Sequence, residues 1–240
     1  MIALSPAPAT LEPGRRVYAV GDVHGCLDAL RALHAMIAAD LAERPVERAV
    51  LIHLGDLIDR GPDSAGVVEL LSAGPAPKGI TEVVNLLGNH EAMLLAALEP
   101  GAKESAPLNW LVNGGADALL SWGVPRKTEH ARWAALLPPA HVAFLRRLVT
   151  RHQEGGYLFV HAGIRPKVPL EAQKIPDLLW IREPFLSSKA DHGAVVVHGH
   201  TPTAEPEIRT NRLGIDTGAV MAGKLTCAVL EEDRLGFLTA

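Results

Sequence analysis

Three short apolar runs, Arg16–Val20, Ala49–Leu54 and Glu82–Leu87, each stop at a glycine followed by a polar residue: Gly21-Asp22, Gly55-Asp56 and Gly88-Asn89. Runs this short, rich in valine and isoleucine and bounded by glycine, read as buried strands. The stretches between them are helical in period. Leu27, Leu30, Leu33, Ile37 and Leu41 recur at helical spacing, with Pro45 beyond the end. Asp63 and Ser64 stand where a helix through Leu71 would be capped, and Gly74-Pro75 would end it. Glu91–Leu98 reads as a third helix. Strands alternating with helices favour a parallel sheet with helices on its faces, and ligands bind such sheets beyond the carboxyl ends of the strands. Asp22, Asp56 and Asn89 fall there.

The texture changes from Glu99 to Glu154. Glycine, proline, tryptophan and helical stretches such as Ala140–Leu148 dominate, so a helical insertion at about 99–154 is expected beside the site. Strand-like runs return at Tyr157–Val160, Ala194–Val197, Gly214–Ile215, Leu225–Leu230 and Gly236–Thr239, and their close spacing suggests antiparallel pairing. Residues 1–14, interrupted by Pro6, Pro8 and Pro13, read as a flexible tail without the apolar stretch of a signal peptide. Residues 15–240 are then a single domain.

Composition narrows the class. A chain of 240 residues, 48% of them hydrophobic, is long enough to bury a full core. A net charge of -4 argues against a general nucleic-acid-binding surface, and no run of 18 apolar residues is present to span a membrane. Cys26 and Cys227 make no disulfide framework, which points to a reducing compartment; a cytoplasmic protein is expected.

Five motifs carry the chemistry: Gly21-Asp22-Val23-His24-Gly25, Gly55-Asp56-Leu57-Ile58-Asp59-Arg60-Gly61, Gly88-Asn89-His90-Glu91, His161-Ala162-Gly163 and Gly199-His200-Thr201. Asp22 and His24, two apart in an extended segment, project the same way and can grip one ion. A carboxylate has two oxygens, so Asp56 can bridge two ions, and Asn89, His161 and His200 can complete the second site. Without a thiolate the donors suit manganese, iron or zinc in a reactive centre better than a structural zinc site. Two such ions activate water for in-line attack on phosphorus. Arg60 matches phosphate oxygens bidentately. His90, near the metals but not needed as a ligand, can protonate the leaving group, with Asp59 holding its imidazole.

These residues resemble the phosphoprotein phosphatases, of bacterial and phage type, within the calcineurin-like metallophosphoesterase superfamily. The first three motifs match without a gap, and the match extends to Leu178-Leu179-Trp180-Ile181-Arg182-Glu183 and Ile215-Asp216-Thr217-Gly218-Ala219. The resemblance implies a central β-sandwich of mixed sheets flanked by helices rather than one open sheet. It implies two divalent ions, manganese first, the first on Asp22, His24 and Asp56 and the second on Asp56, Asn89, His161 and His200. It makes His90 with Asp59 the acid pair and places Arg60, Arg182 and Asn89 on the phosphate. Two features depart from relatives: Gly199-His200-Thr201-Pro202 lacks a second histidine after His200, and Asp216–Thr226 replaces the Ser-Ala-Pro-Asn-Tyr loop of eukaryotic members.

The expected activity is a dinuclear-metal phosphomonoesterase, a serine/threonine protein phosphatase of broad specificity acting on phosphorylated proteins or small phosphoesters. The alternative is a dinucleoside tetraphosphate (Ap4A) hydrolase, whose first motif is similar through Gly25-Cys26. The bacterial symmetrical members of that group lack the Asp of Asp59-Arg60 and carry Asp at the position of Glu91. A non-catalytic, metal-stapled binding module is the third possibility, and here no ligand, acid or arginine is missing.

Overall fold

The computed structural model describes residues 2–221 and 223–240. Its elements follow as β1 (Ser5–Pro6), β2 (Arg15–Val20), α1 (Leu27–Glu43), β3 (Arg48–His53), α2 (Ser64–Ala73), β4 (Glu82–Asn85), α3 (Asn89–Leu98), α4 (Ser105–Trp110), α5 (Ala116–Ser121), α6 (Trp133–Leu136), α7 (Pro139–Leu145), β5 (Arg151–Glu154), β6 (Tyr157–Val160), α8 (Ile175–Trp180), β7 (Val195–His198), β8 (Glu207–Ile208), β9 (Arg212–Gly214), β10 (Thr226–Glu231) and β11 (Arg234–Thr239).

The strands form two mixed sheets. One runs β1-β11-β10-β2-β3-β4 and the other β5-β6-β7-β9-β8. The expected parallel unit is β2-β3-β4, paired in the registers Tyr18 to Leu51 and Leu51 to Val83. It is one half of the first sheet, and β10, antiparallel to β2, supplies the other direction.

Strand residues alternate between two cores, as the two-residue period of a strand requires. Val17, Ala19, Val50 and Ile52 face Phe159, Val197 and Leu213 of the second sheet. Tyr18, Val20, Leu51 and Val229 face α1, α2, α3 and the insertion. On the far side, Leu158, Val160 and Val196 pack under Leu178 of α8 and Ile181 just beyond its end. The result is a two-sheet sandwich with helices on both outer faces, the architecture that the resemblance implied.

Three expectations need correcting. The second half is not wholly antiparallel, because β6-β7 and β7-β9 are parallel; the chain crosses back through α8 and through β8. The flexible tail is instead docked where it is described. Ser5 and Pro6 pair with Leu235 and Arg234, Ala7 N donates to the Asp233 carbonyl at 2.8 Å, and Leu11 is buried in the sandwich core. Proline forbids a helix there but is tolerated on an edge strand, which β1 is. The insertion is helical from Ser105 to Leu145, whereas Arg151–Glu154 is a strand of the second sheet. No helix among the described residues is long and apolar enough to cross a membrane.

Candidate dinuclear metal centre

All five motifs meet at one end of the sandwich, stitched in a ring of hydrogen bonds. The Asp56 carbonyl accepts from Val23 N at 3.0 Å and His24 N at 2.8 Å, tying the first motif to the second. The buried Glu91 carboxylate ties the second to the third by accepting from Asp56 N (3.0 Å), Leu57 N (2.8 Å), Ile58 N (3.2 Å) and Gly88 N (2.9 Å). His161 Nδ1 donates to the Leu54 carbonyl at 2.9 Å, and Gly199 N donates to the His161 carbonyl at 2.8 Å. His200 N closes the ring on Asp22, 3.0 and 3.2 Å from its two carboxylate oxygens. The turns are too tight for side chains at several points. A Cβ on Gly61 would lie 1.9 Å from the His24 carbonyl oxygen, and one on Gly199 1.9 Å from Asp22 Oδ1.

Asp56 is the centre of the site. Its carboxylate belongs to two clusters whose candidate donor atoms lie within 4.8 Å of one another: His24, Asp56 and His90, and Asp56, His161 and His200. Asn89 adjoins the second cluster, its Oδ1 standing 2.9 Å from His161 Nε2. All of these side chains are buried. Asp22 stands differently from its expected place: it belongs to neither cluster and is turned onto the His200 amide, while His90 Nε2 lies 3.8 Å from Asp56 Oδ2.

The donor set suits cations. His161 gives its Nδ1 proton to a carbonyl, so its Nε2 faces Asn89 Oδ1 at 2.9 Å and Asp56 Oδ1 at 3.3 Å, two acceptors that need a positive charge between them. His24 likewise donates Nδ1 to the Ile58 carbonyl at 2.9 Å, which turns Nε2 toward the centre, where it accepts from Arg60 Nη1 at 3.0 Å. His200 Nε2 is buried with no partner among the described residues, as a lone pair awaiting an ion would be.

Electrostatics agree. Burial lowers His24 to about 4 and His200 to about 3, so both rings are neutral at pH 7, the form that can bind a cation. Burial also works against His161, but the adjoining Asp56 outweighs it and raises the imidazole. Burial pushes Asp22 well above the usual carboxylate range, with Asp216 and Asp56 adding repulsion. For Asp56 burial acts in the same sense, yet His161, His90 and His24 overcome it and keep the group ionised.

The two further groups lie beside this centre. His90 Nδ1 is 2.8 Å from Asp59 Oδ2, and Asp59 is fully buried. Burial lowers the His90 imidazole and raises the Asp59 carboxyl well above its ordinary value, so the pair favours sharing one proton. Arg60 is exposed, with Nη1 3.0 Å from His24 Nε2, and Arg182 is exposed, reaching the His200 carbonyl at 3.4 Å. Every residue expected at the site is therefore gathered at this end of the sandwich. His198, by contrast, is a buried backing residue that gives its Nδ1 proton to the Gly199 carbonyl.

Two contributors were not foreseen. Glu91 organises the loops, and its place three residues after Gly88, where a helix-start glutamate reaches back to a backbone N–H, was the available signal. Trp110 donates Nε1–H to Asp59 Oδ2 at 2.8 Å, and nothing in its local sequence announces that contact.

Comparison with known proteins decides the lineage. The family model described as calcineurin-like phosphoesterase matches residues 15–227. The chain belongs to that family. It is 33% identical over 225 residues to serine/threonine-protein phosphatase 1 of Salmonella typhimurium, covering 90% of this chain and 93% of that one. It is 35% identical over 152 residues to the symmetrical bis(5'-nucleosyl)-tetraphosphatase of Dechloromonas aromatica, spanning 62% of this chain but 44% of that enzyme. Among solved structures, a cold-active protein tyrosine phosphatase shares the fold with a TM-score of 0.61 at 17% identity, covering 96% of this chain and 81% of that one. The chain is thus a metal-dependent phosphoesterase by family, and its centre has the donors for a pair of ions.

Proposed function

We propose that this phosphoesterase is a phosphomonoesterase acting on phosphoserine and phosphothreonine in proteins, with small phosphomonoesters also accepted. The observation that carries the reading is the buried contact between His90 and Asp59 beside the ligand cluster, with Arg60 and Arg182 at its open side. Asp22, His24 and Asp56 would hold one ion and Asp56, Asn89, His161 and His200 the other, manganese being the first candidate and iron or zinc fitting the same donors. Such ions, when bound, supply Lewis acidity toward phosphoryl oxygens and lower the pKa of water.

The chain's own residues do the rest. Arg60 and Arg182 each present a planar fork to the phosphate and offset its charge. Asn89 adds an amide donor. His90 gives a proton to the departing serine or threonine oxygen, and Asp59, on the opposite ring nitrogen, fixes the tautomer and steadies the imidazolium before transfer. The relative at 33% identity, aligned over nearly its whole length, supports a protein substrate. The second reading, symmetrical cleavage of dinucleoside tetraphosphates, is favoured by several relatives of that name at 26–35% identity.

The test is hydrolysis of a phosphoserine peptide and of diadenosine tetraphosphate, side by side, by manganese-loaded protein. Faster phosphate release from the peptide is expected; faster formation of two ADP molecules would overturn the substrate assignment. His90→Asn should lower kcat on the peptide by about 10²–10⁴-fold, the span of general acid catalysis, while both ions stay bound. Lost metal with the lost rate would make His90 a ligand, and an unchanged rate would remove it from the chemistry.

A further inference from the structure

The insertion reaches the catalytic machinery directly. α4 ends at Trp110, a wholly buried indole whose ring meets that of Trp133 edge-on at 5.5 Å. Its Nε1–H donates to Asp59 Oδ2, the same oxygen that faces His90 Nδ1, and both distances are 2.8 Å. The other oxygen of Asp59 is buried without a partner among the described residues. The carboxylate therefore meets two N–H donors, one on α3 and one on the insertion, both on a single oxygen.

The residues after Trp110 extend the hold to the backbone. Asp59 and Arg60 lie at φ 74° and 67°, conformations that non-glycine residues keep only under outside support. Asp59 N is held by Ser64 Oγ at 2.9 Å, and Arg60 N by the Gly114 carbonyl at 3.2 Å. Gly114 itself sits at φ 109°, and a Cβ there would come within 2.6 Å of Arg60 Cγ. A Cβ on Gly115 would lie 2.4 Å from the Trp110 ring. One short turn thus seats both the indole and the loop that bears the acid pair and an arginine.

We infer that Trp110 is a positioning residue for the reaction: its indole N–H fixes the Asp59 carboxylate and, through it, the direction in which His90 delivers a proton. This rests on the proposed acid role of His90. A carboxylate with two donors is held in place, whereas one with a single donor can rotate and carry the imidazole with it. A fault in proton delivery is felt only where the leaving oxygen needs the proton, which separates positioning from general support of the fold.

The experiment is Trp110→Phe, which keeps the ring and removes the N–H, assayed in the full manganese-loaded chain on phenyl phosphate and on 2,4-dinitrophenyl phosphate. The poor leaving group should lose about 10-fold in kcat, a fraction of what a general acid supplies, and the good leaving group should change by less than about twofold. Manganese affinity by calorimetry should not move. In the His90→Asn background Trp110→Phe should add nothing, since both act through one group. Gly115→Ala, which keeps the indole but drives a methyl into it, should give the same selective loss and serves if the phenylalanine variant folds poorly. Equal losses on both substrates, an undiminished loss without His90, or no loss at all would overturn the inference. Should His90→Asn itself show no dependence on the leaving group, the acid role fails and the inference fails with it; selective loss in His90→Asn but not in Trp110→Phe sinks the inference alone.

Discussion

Among the described residues seven non-glycine residues have positive φ, and five of them are His24, Asp56, Asp59, Arg60 and His200. Each such conformation costs about 1–3 kcal/mol, so their concentration at one end of the sandwich marks where the fold spends stability on geometry. The strain is sustained because neighbouring motifs clamp each residue: the Asp56 carbonyl takes two amides, Glu91 takes four, and Gly114 takes that of Arg60. At this scale the sequence was most legible. Ligand chemistry belongs to the residue itself, and a glycine beside an aspartate announces a tight turn. The strain and the turn of the Asp22 carboxylate onto the His200 amide were not legible, since both depend on how loops from different strands approach. Arg60, exposed and close to His24, should act chiefly on the phosphate. Arg60→Ala is expected to lower kcat/KM on a phosphoserine peptide by about 10–100-fold, the worth of charge-assisted hydrogen bonds. Steady-state kinetics that match the wild type would remove Arg60 from the site.

At the scale of elements, α3 and the loop after β3 act as one unit through Glu91. Four buried backbone N–H groups converge on its carboxylate, and each would be orphaned by truncation. Glu91→Ala should therefore cost at least about 3 kcal/mol of stability, read as a lower urea midpoint of the metal-free protein; a shift under about 1 kcal/mol would show that water or a rearranged loop serves those amides equally well. The strands that carry the motifs were legible to within a residue or two because they are short apolar runs that close at glycine, with β2 and β3 buried on both faces. Three strands were missed. β1 and β8 have two residues each, too few for any periodicity, and β5, Arg151–Glu154, is polar in composition. The parallel pairing of β6, β7 and β9 was hidden for another reason: partners are chosen across the sandwich, and spacing along the chain says little about them. The docking of Trp110 on Asp59 is hidden in the same way, a contact between residues 51 positions apart.

The whole molecule is a sandwich whose inner core joins both sheets, so the two halves that supply ligands are held by one body of apolar contacts. Its stability should depend on pH through histidines buried away from the site. His53 Nδ1 donates to Asn85 Oδ1 at 2.7 Å, and its Nε2 accepts from His34 Nε2 at 3.1 Å, an arrangement that needs the His53 ring neutral. Burial lowers His53 to about 3 and His34 to about 4. Because these folded values lie below the unfolded one, about 6.5, the unfolded chain binds protons first as the pH falls. Stability is then complete above pH 6.5 and declines toward pH 4, by up to about 1.4 kcal/mol per pH unit for each histidine. Urea midpoints of the metal-free protein should fall between pH 7 and pH 5, and His34→Leu should flatten that fall; equal slopes for the two proteins would show that the pair does not titrate with unfolding.

Asp56 is the one residue on which both halves of the centre depend, and manganese binding to the metal-free chain measures that dependence directly. Equilibrium dialysis should find two ions per wild-type chain, and Asp56→Asn should weaken both sites together. A single ion per chain, or two held by Asp56→Asn with unchanged affinity, would contradict a dinuclear centre built around a shared carboxylate.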